Sequence, residues 1–126
     1  MNETGLISVV DDDESVRDST RTLLRSAGYK VTTFESGERF LESGTLANTA
    51  CLILDMRMSG MDGLELQRRL NASEARVPII FVTAHDDQTR RQSAIDAGAS
   101  DFFQKPFPAS DLLEAIQTAL KSNSDL

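Results

Sequence analysis

The sequence predicts an α/β domain with a five-stranded parallel sheet between two layers of helices. Five short apolar runs alternate with segments of helical periodicity along the 126 residues. Most of these runs lack the polar–apolar alternation of half-exposed strands, so we expect strands that are buried on both faces. The repeated strand–helix order favours parallel strands joined by right-handed crossovers, which gives a three-layer sandwich.

The predicted strands are short, and Val, Ile and Phe are frequent in them. They are LISVV (6–10), KVTTF (30–34), CLILD (51–55), PIIFVT (78–83) and DFFQK (101–105). The second run ends in the apolar Phe34. We therefore expect this strand at the edge of the sheet, away from a functional site.

Helical spacing of apolar residues predicts five helices, one after each strand. The first is expected over 14–27 with a stop at Gly28, and the second between Ser36 and Gly44. The other three are expected around 64–70, over 87–97 and around 112–120.

Composition and charge limit the class of protein. The formal net charge is −7, so direct nucleic-acid binding, which needs Lys and Arg for phosphate contacts, is not expected. The single cysteine excludes an internal disulfide. The sequence shows no signal peptide and no apolar run of about 20 residues, so we expect a cytoplasmic protein without membrane contact. We expect one domain over 1–121, and a polar tail or the start of a linker over 122–126.

Polar side chains stand at the carboxyl ends of four predicted strands. Asp11 and Asp12 follow the first, Asp55 ends the third, Thr83 ends the fourth and Lys105 ends the fifth. The carboxyl ends of parallel strands meet at one edge of the sheet, where ligands bind near the point at which the strand order reverses. We therefore expect three carboxylates, one hydroxyl and one ammonium group in a single crevice.

This cluster predicts a site for a hard cation. Three neighbouring carboxylates repel one another and do not all stay ionised without a positive charge between them. Oxygen ligands without His or Cys favour Mg²⁺, with Mn²⁺ as an alternative. A carboxylate beside a cation, a lysine and a hydroxyl can itself be a nucleophile, so the pattern indicates phosphoryl transfer through an aspartyl-phosphate.

Four blocks of the sequence resemble the receiver domains of response regulators in two-component signalling. They are VVDDDESVR, LILDMRMSGMDGLEL, PIIFVTAHDD and AGASDFFQKPF, and the resemblance runs from Leu6 to about Lys121. The phrases DMRM and GASDFFQKPF most resemble the FixJ-type branch. The resemblance implies a flavodoxin-like (βα)₅ fold and a switch that takes a phosphoryl group from a histidine kinase, and it does not imply a metabolic enzyme.

The resemblance also assigns roles at the acidic site. Asp55 is implied as the phosphoacceptor, and Asp12 and Asp55 are implied as direct Mg²⁺ ligands. The backbone carbonyl of Arg57 would complete the protein's ligands, and Asp11 would hold a metal-bound water. The side chain of Arg57, together with that of His85, is implied to tune the rate at which water removes the phosphate.

Further implied roles concern the phosphate and the conformational switch. Lys105 would pair with the acceptor carboxylate and then with a phosphate oxygen. The Thr83 hydroxyl and the Ala84 backbone N–H would reach another phosphate oxygen. Phe102 matches an aromatic position that turns inward when Thr83 moves, and the Lys105–Pro106 bond is implied to be cis.

One position departs from the family pattern. Receivers usually carry proline where this chain has Ser59, in the segment MRMSGM. Proline fixes one backbone dihedral, so we expect the loop at Ser59–Gly60 to be less constrained here. The acceptor chemistry itself does not depend on this position.

The implied partners are a histidine kinase or a phosphotransfer protein, a second copy of the chain after phosphorylation, and a DNA-binding output domain in a longer chain.

Three other functions fit parts of the sequence. DDDES also matches haloacid-dehalogenase-type phosphohydrolases, in which Asp11 would be the nucleophile. A flavodoxin-like cofactor binder would need a Gly-rich phosphate loop in place of these acids. A degenerate receiver would bind partners without phosphate.

Overall fold

The computed structural model describes residues 5–84 and 88–124. Five strands and five α-helices alternate in this part of the chain. They are β1 (Leu6–Val10), α1 (Glu14–Ser26), β2 (Lys30–Phe34), α2 (Gly37–Ser43), β3 (Thr49–Asp55), α3 (Gly63–Ala72), β4 (Ile79–Thr83), α4 (Gln88–Asp96), β5 (Asp101–Gln104) and α5 (Ala109–Ser124), with a short 3₁₀ helix over Thr45–Asn48. None of the helices in the described residues has the length and apolarity that crossing a membrane requires.

The strands form one parallel sheet in the order β2-β1-β3-β4-β5. The predicted five-stranded parallel sheet is therefore confirmed, and so is the edge position of the strand that ends in Phe34. The register aligns Val10 of β1 with Leu54 of β3. Residues just after β1 and at the end of β3 therefore lie side by side at the carboxyl edge of the sheet.

Two apolar clusters fill the space between the sheet and its two helical layers. On one face, Leu24 of α1 and Ile116 of α5 pack against strand residues such as Ile53. On the other face, Phe40 of α2, Leu66 of α3 and Ala94 of α4 pack against the sheet. Burial on both faces explains why the central strands read as continuous apolar runs.

Several element boundaries differ from the predicted ones by a few residues, with examples in β3, α1 and β5. β3 begins at Thr49. The hydroxyl groups of Thr49 and of Ser8 in β1 form a 2.7 Å hydrogen bond, which allows a polar residue to pair with β1 at this position. α1 ends at Ser26, and Ala27 is an exposed cap residue whose N–H bonds back to Leu23 and Leu24. β5 ends one residue before Lys105.

Side-chain caps fix where two of the helices begin. The Asp13 carboxylate accepts hydrogen bonds from the N–H groups of Ser15 and Val16 at the start of α1. Asp62 accepts one from the N–H of Glu65 in α3. These caps satisfy backbone donors that a helix start otherwise leaves without partners, and they place α1 and α3 directly after the loops that carry the acidic residues.

Polar contacts hold α4 against α3. Ala94 is the one residue of α4 that is buried in the described part of the chain. The side chain of Gln67, 1% exposed, donates a 3.0 Å hydrogen bond to the carbonyl of Ala94. The Arg90 guanidinium lies 3.0 Å from the Asp62 carboxylate. Because α4 buries little apolar surface, its position depends on these polar groups.

We expect Gln67→Ala to lower the free energy of unfolding by about 1–3 kcal/mol, because it removes a buried hydrogen bond and leaves a cavity. Urea unfolding would measure the change. Arg68→Ala, which removes an exposed ion pair to Glu65 on the same helix, is the matched control and should cost less than about 1 kcal/mol. Equal losses in the two variants would contradict a buried polar attachment of α4.

Candidate functional site

The carboxyl ends of four strands bring the predicted polar residues together. Carboxylate oxygens of Asp11, Asp12 and Asp55 all lie within 4.8 Å of one another. The ammonium nitrogen of Lys105 lies 3.7 Å from Oδ2 of Asp11. Thr83 ends β4 beside them and is buried. The structure thus assembles the three carboxylates and the ammonium group, and Thr83 ends the strand that lies between β3 and β5.

The carboxylate oxygens at this site are suitable ligands for a hard divalent cation. Asp11 is 2% exposed, and its Oδ2 is buried without a hydrogen-bond donor among the described residues. A buried carboxylate oxygen without a donor is costly unless a positive charge compensates for it. Three clustered carboxylates with no His or Cys among them favour Mg²⁺ over softer metals.

The electrostatics of Asp55 show how strongly the site disfavours its own negative charge. Burial, and after it the nearby charge of Asp11, raises the pKa of Asp55 from 3.8 to about 7. The Lys105 ammonium and the N–H of Arg57, 3.4 Å from Oδ1 of Asp55, oppose this shift in pKa. A bound cation would favour the ionised carboxylate, which is the nucleophilic form.

Asp11 has a different environment from Asp55. Burial raises its pKa as well, while the N–H of Asp13, 2.9 Å from Oδ1, and the Lys105 charge counter the shift. The backbone carbonyl of Asp11 accepts a 2.7 Å hydrogen bond from Arg17 of α1. Asp11 is therefore fixed through both its side chain and its backbone, whereas Asp55 keeps part of its surface open.

Lys105 differs from its implied arrangement in one respect. The resemblance implies a pair with Asp55, but its ion pair within 4 Å is with Asp11, the more buried carboxylate. Its backbone N–H donates a 2.7 Å hydrogen bond to the carbonyl of Thr83, which ties the lysine to the end of β4. The Lys105–Pro106 peptide bond is cis.

The two adjacent phenylalanines of β5 face opposite helical layers. Phe102 is 7% exposed, and its ring centroid lies 6.1 Å from that of Phe81, on the side of α4. The Arg91 guanidinium of α4 stands over the Phe102 ring at 5.4 Å from the centroid. Phe103 packs on the α5 side, 5.2 Å from Phe107. Phe102 is thus the one of the pair that touches α4.

Two further predicted residues lie in the loops that follow β3 and β4. Arg57 follows β3 and is exposed, as is Ala84 after β4. His85, the other residue that was predicted to tune phosphate loss, lies outside the described residues. Sequence reasoning did not identify Arg17, which braces the carbonyl of Asp11, because no local pattern marks a hydrogen bond between a helix side chain and a preceding loop.

Comparisons with known proteins agree on one family. The model of the response regulator receiver domain family matches residues 7–117. The response regulator protein TmoT of Ectopseudomonas mendocina is 45% identical over 120 residues, which cover 95% of this chain and 54% of TmoT. The chain therefore spans about half the length of this curated relative.

Solved structures give the same result. The structure of the response regulator StyR superposes with a TM-score of 0.89 at 46% identity, covering 98% of this chain and 62% of that one. The structure titled FixJ-N superposes with a TM-score of 0.86 at 35% identity, covering 96% of both chains.

The raised pKa of Asp55 predicts a pH-dependent effect on stability. A carboxyl with a higher pKa in the folded state is neutral in both states below pH 3.8 and destabilises the fold progressively as the pH rises from there to about 7. Without Mg²⁺, we expect Asp55→Asn to be more stable than the wild type at pH 8 by about 1–2 kcal/mol, a figure reduced for the partial exposure of Asp55.

This difference should shrink towards zero near pH 4, and urea unfolding in EDTA at a series of pH values would measure it. Asp18→Asn changes an exposed aspartate that pairs with Arg21 on α1, and it serves as the matched control. A gain from Asp55→Asn that is the same at pH 4 and pH 8 would contradict the raised pKa.

Proposed function

Because this chain belongs to the response regulator receiver domain family, we propose that Asp55 is its phosphoacceptor in a Mg²⁺-dependent reaction. Receiver domains are signalling modules of two-component systems, and this assignment rests on the family match. The choice of Asp55 is supported by one observation above the others: it is the half-buried carboxylate between the buried Asp11 and the exposed Asp12, in a cluster that also contains a lysine.

The proposed transfer begins at an oxygen of the Asp55 carboxylate. This oxygen forms a bond to phosphorus as the phosphorus–nitrogen bond of a phosphohistidine breaks, and the electron pair and a proton go to the imidazole. Asp12 and Asp55 would ligate Mg²⁺ directly, Asp11 would hold one of its waters, and the Arg57 carbonyl would complete the set. The cation would neutralise charge that develops on the phosphoryl oxygens.

The product adds roughly −1.5 to −2 charge and three acceptor oxygens beside Asp55. Lys105 would then exchange its contact with Asp11 for one with a phosphate oxygen. The Thr83 hydroxyl and the Ala84 N–H would serve a second oxygen. Thr83 ends the strand that also carries Phe81, the ring neighbour of Phe102, so a shift of Thr83 would disturb the packing beneath α4.

Phosphate loss reverses the bond change at Asp55. A water oxygen attacks the phosphorus, the bond to the carboxylate oxygen breaks, and inorganic phosphate leaves. We place Arg57 and His85 as the side chains that tune this rate, because the family resemblance assigns this role to their positions. In this reading the chain catalyses its own phosphorylation and dephosphorylation and turns over no separate metabolite.

The hydrolase reading with Asp11 as nucleophile draws no support from the comparisons. Asp11 is 2% exposed, and its oxygens face Lys105 and the N–H of Asp13. A nucleophile at this position would be harder for a substrate to reach than Asp55.

Partners and context are proposals that draw on the relatives. We propose a histidine kinase or a phosphotransfer protein as the phosphodonor, in the cytoplasm. Relatives include the Transcriptional regulatory protein FixJ of Bradyrhizobium diazoefficiens, of which this chain covers 59%. We propose that residues 1–121 act as the receiver domain of a regulator that can carry a DNA-binding output domain. Residues 122–124 continue α5, so we propose that the predicted tail or linker begins beyond Ser124.

Incubation with acetyl phosphate and Mg²⁺ should add one phosphoryl group to the wild type, as read by intact mass. Asp55→Asn should remove the label, because it removes the nucleophile, and omission of Mg²⁺ should do the same. Asp18→Asn, an exposed aspartate on α1, is the matched control and should label like the wild type. Labelling that survives Asp55→Asn but is lost in Asp11→Asn would contradict the proposal and favour the hydrolase reading.

Phosphorylation should also change self-association, if the altered face binds a second copy. Sedimentation velocity with Mg²⁺ and beryllium fluoride, a stable phosphoryl mimic, should show a larger species than the protein alone, and Asp55→Asn should not respond. An unchanged monomer in the presence of the mimic would refute phosphorylation-dependent dimerisation while leaving the acceptor role intact.

A further inference from the structure

Two carboxylates tie down the loop between β3 and α3, which lacks the proline of the family pattern. The N–H of Ser59 donates a hydrogen bond to Oδ2 of Asp12, with a nitrogen–oxygen distance of 3.2 Å. Two residues later, the N–H of Met61 donates to Oε2 of Glu38 in α2 at 3.3 Å. The loop is therefore bonded to the β1–α1 loop on one side and to α2 on the other.

Gly60 allows these two donors to face different acceptors. Its φ is +73°, a left-handed conformation that side chains other than glycine rarely adopt. A Cβ at this position would also lie 3.1 Å from Oε2 of Glu38. Ser59 thus supplies an N–H that proline at this position would lack, while Gly60 supplies the turn.

The hydrogen bond from Ser59 opposes the electrostatic repulsion that acts on the Asp12 carboxylate. Asp12 is exposed, and it lies next to Asp11 and Asp55, whose negative charges repel it. A backbone N–H that donates to a carboxylate is a charge-assisted bond, and it restricts the rotation of the side chain. With Oδ2 held by Ser59, Oδ1 remains available for another ligand.

We propose that the backbone N–H of Ser59 is a positioning group that orients Asp12 for the divalent cation. Glu38 fixes the loop that carries this N–H. The inference rests on the proposed metal site. It assigns to this chain a hydrogen bond that proline, which has no N–H, cannot make. Groups that orient a ligand typically change metal affinity by about 10–100-fold, and an exposed bond of 3.2 Å should contribute less.

The test compares Ser59→Pro with Ser59→Ala, titrating each metal-free protein with Mg²⁺ in a calorimeter. Both variants lose the hydroxyl, but Ser59→Pro alone loses the N–H. We expect Mg²⁺ to bind Ser59→Pro about three- to tenfold more weakly than Ser59→Ala, a smaller effect than for a buried orienting group. Affinities within twofold of each other, or tighter binding to Ser59→Pro, would overturn the inference.

Amide hydrogen exchange tests the bond itself and does not depend on the folding of a proline variant. In metal-free protein, the Ser59 amide should exchange faster in Asp12→Ala than in the wild type, while the Met61 amide should respond to Glu38→Ala. An unchanged Ser59 rate would overturn the inference. A wild type that binds no Mg²⁺ would overturn the proposed metal site as well, which separates the two failures.

Discussion

The repulsion among three carboxylates at the carboxyl edge of the sheet is the constraint on which the function depends. The parallel register brings Asp11, Asp12 and Asp55 within a few ångströms because β1 and β3 are neighbours. The Lys105 ammonium and N–H donors from the loops offset part of this repulsion. A divalent cation would offset the rest of the repulsion, and the shifted pKa of Asp55 is typical of a functional site.

A series of backbone and side-chain contacts connects the carboxyl edge of the sheet to α4. Thr83 at the end of β4 accepts a backbone hydrogen bond from Lys105, and Phe81, two residues earlier, packs against Phe102. Phe102 in turn lies beneath Arg91 of α4. Because α4 is attached mainly by polar groups, a small change in the packing under it can alter the surface it presents. Charge at Asp55 and the shape of α4 are therefore connected through a few named contacts.

Much of this arrangement could be predicted from residue patterns, because strand burial and strand ends leave clear signals. The continuous apolar run before Asp55 fixes both a central strand and the position of the carboxylate. The partners of individual side chains left no such signal. The pattern could not show that Lys105 contacts Asp11, since that depends on which carboxylate is more buried. It also could not show that Ser59 reaches Asp12, 47 residues away, because that bond depends on the path of two loops.

The most direct measurement is the pKa of Asp55 itself, from the ¹³C shift of its carboxyl carbon with and without Mg²⁺. We expect a pKa of about 7 in metal-free protein, because burial and the charge of Asp11 disfavour ionisation. Saturating Mg²⁺ should move the pKa well below that value, since the cation stabilises the carboxylate. A pKa near 3.8 in both conditions would show that burial and neighbouring charge do not disfavour ionisation of Asp55, and that a cation is not needed to stabilise its carboxylate.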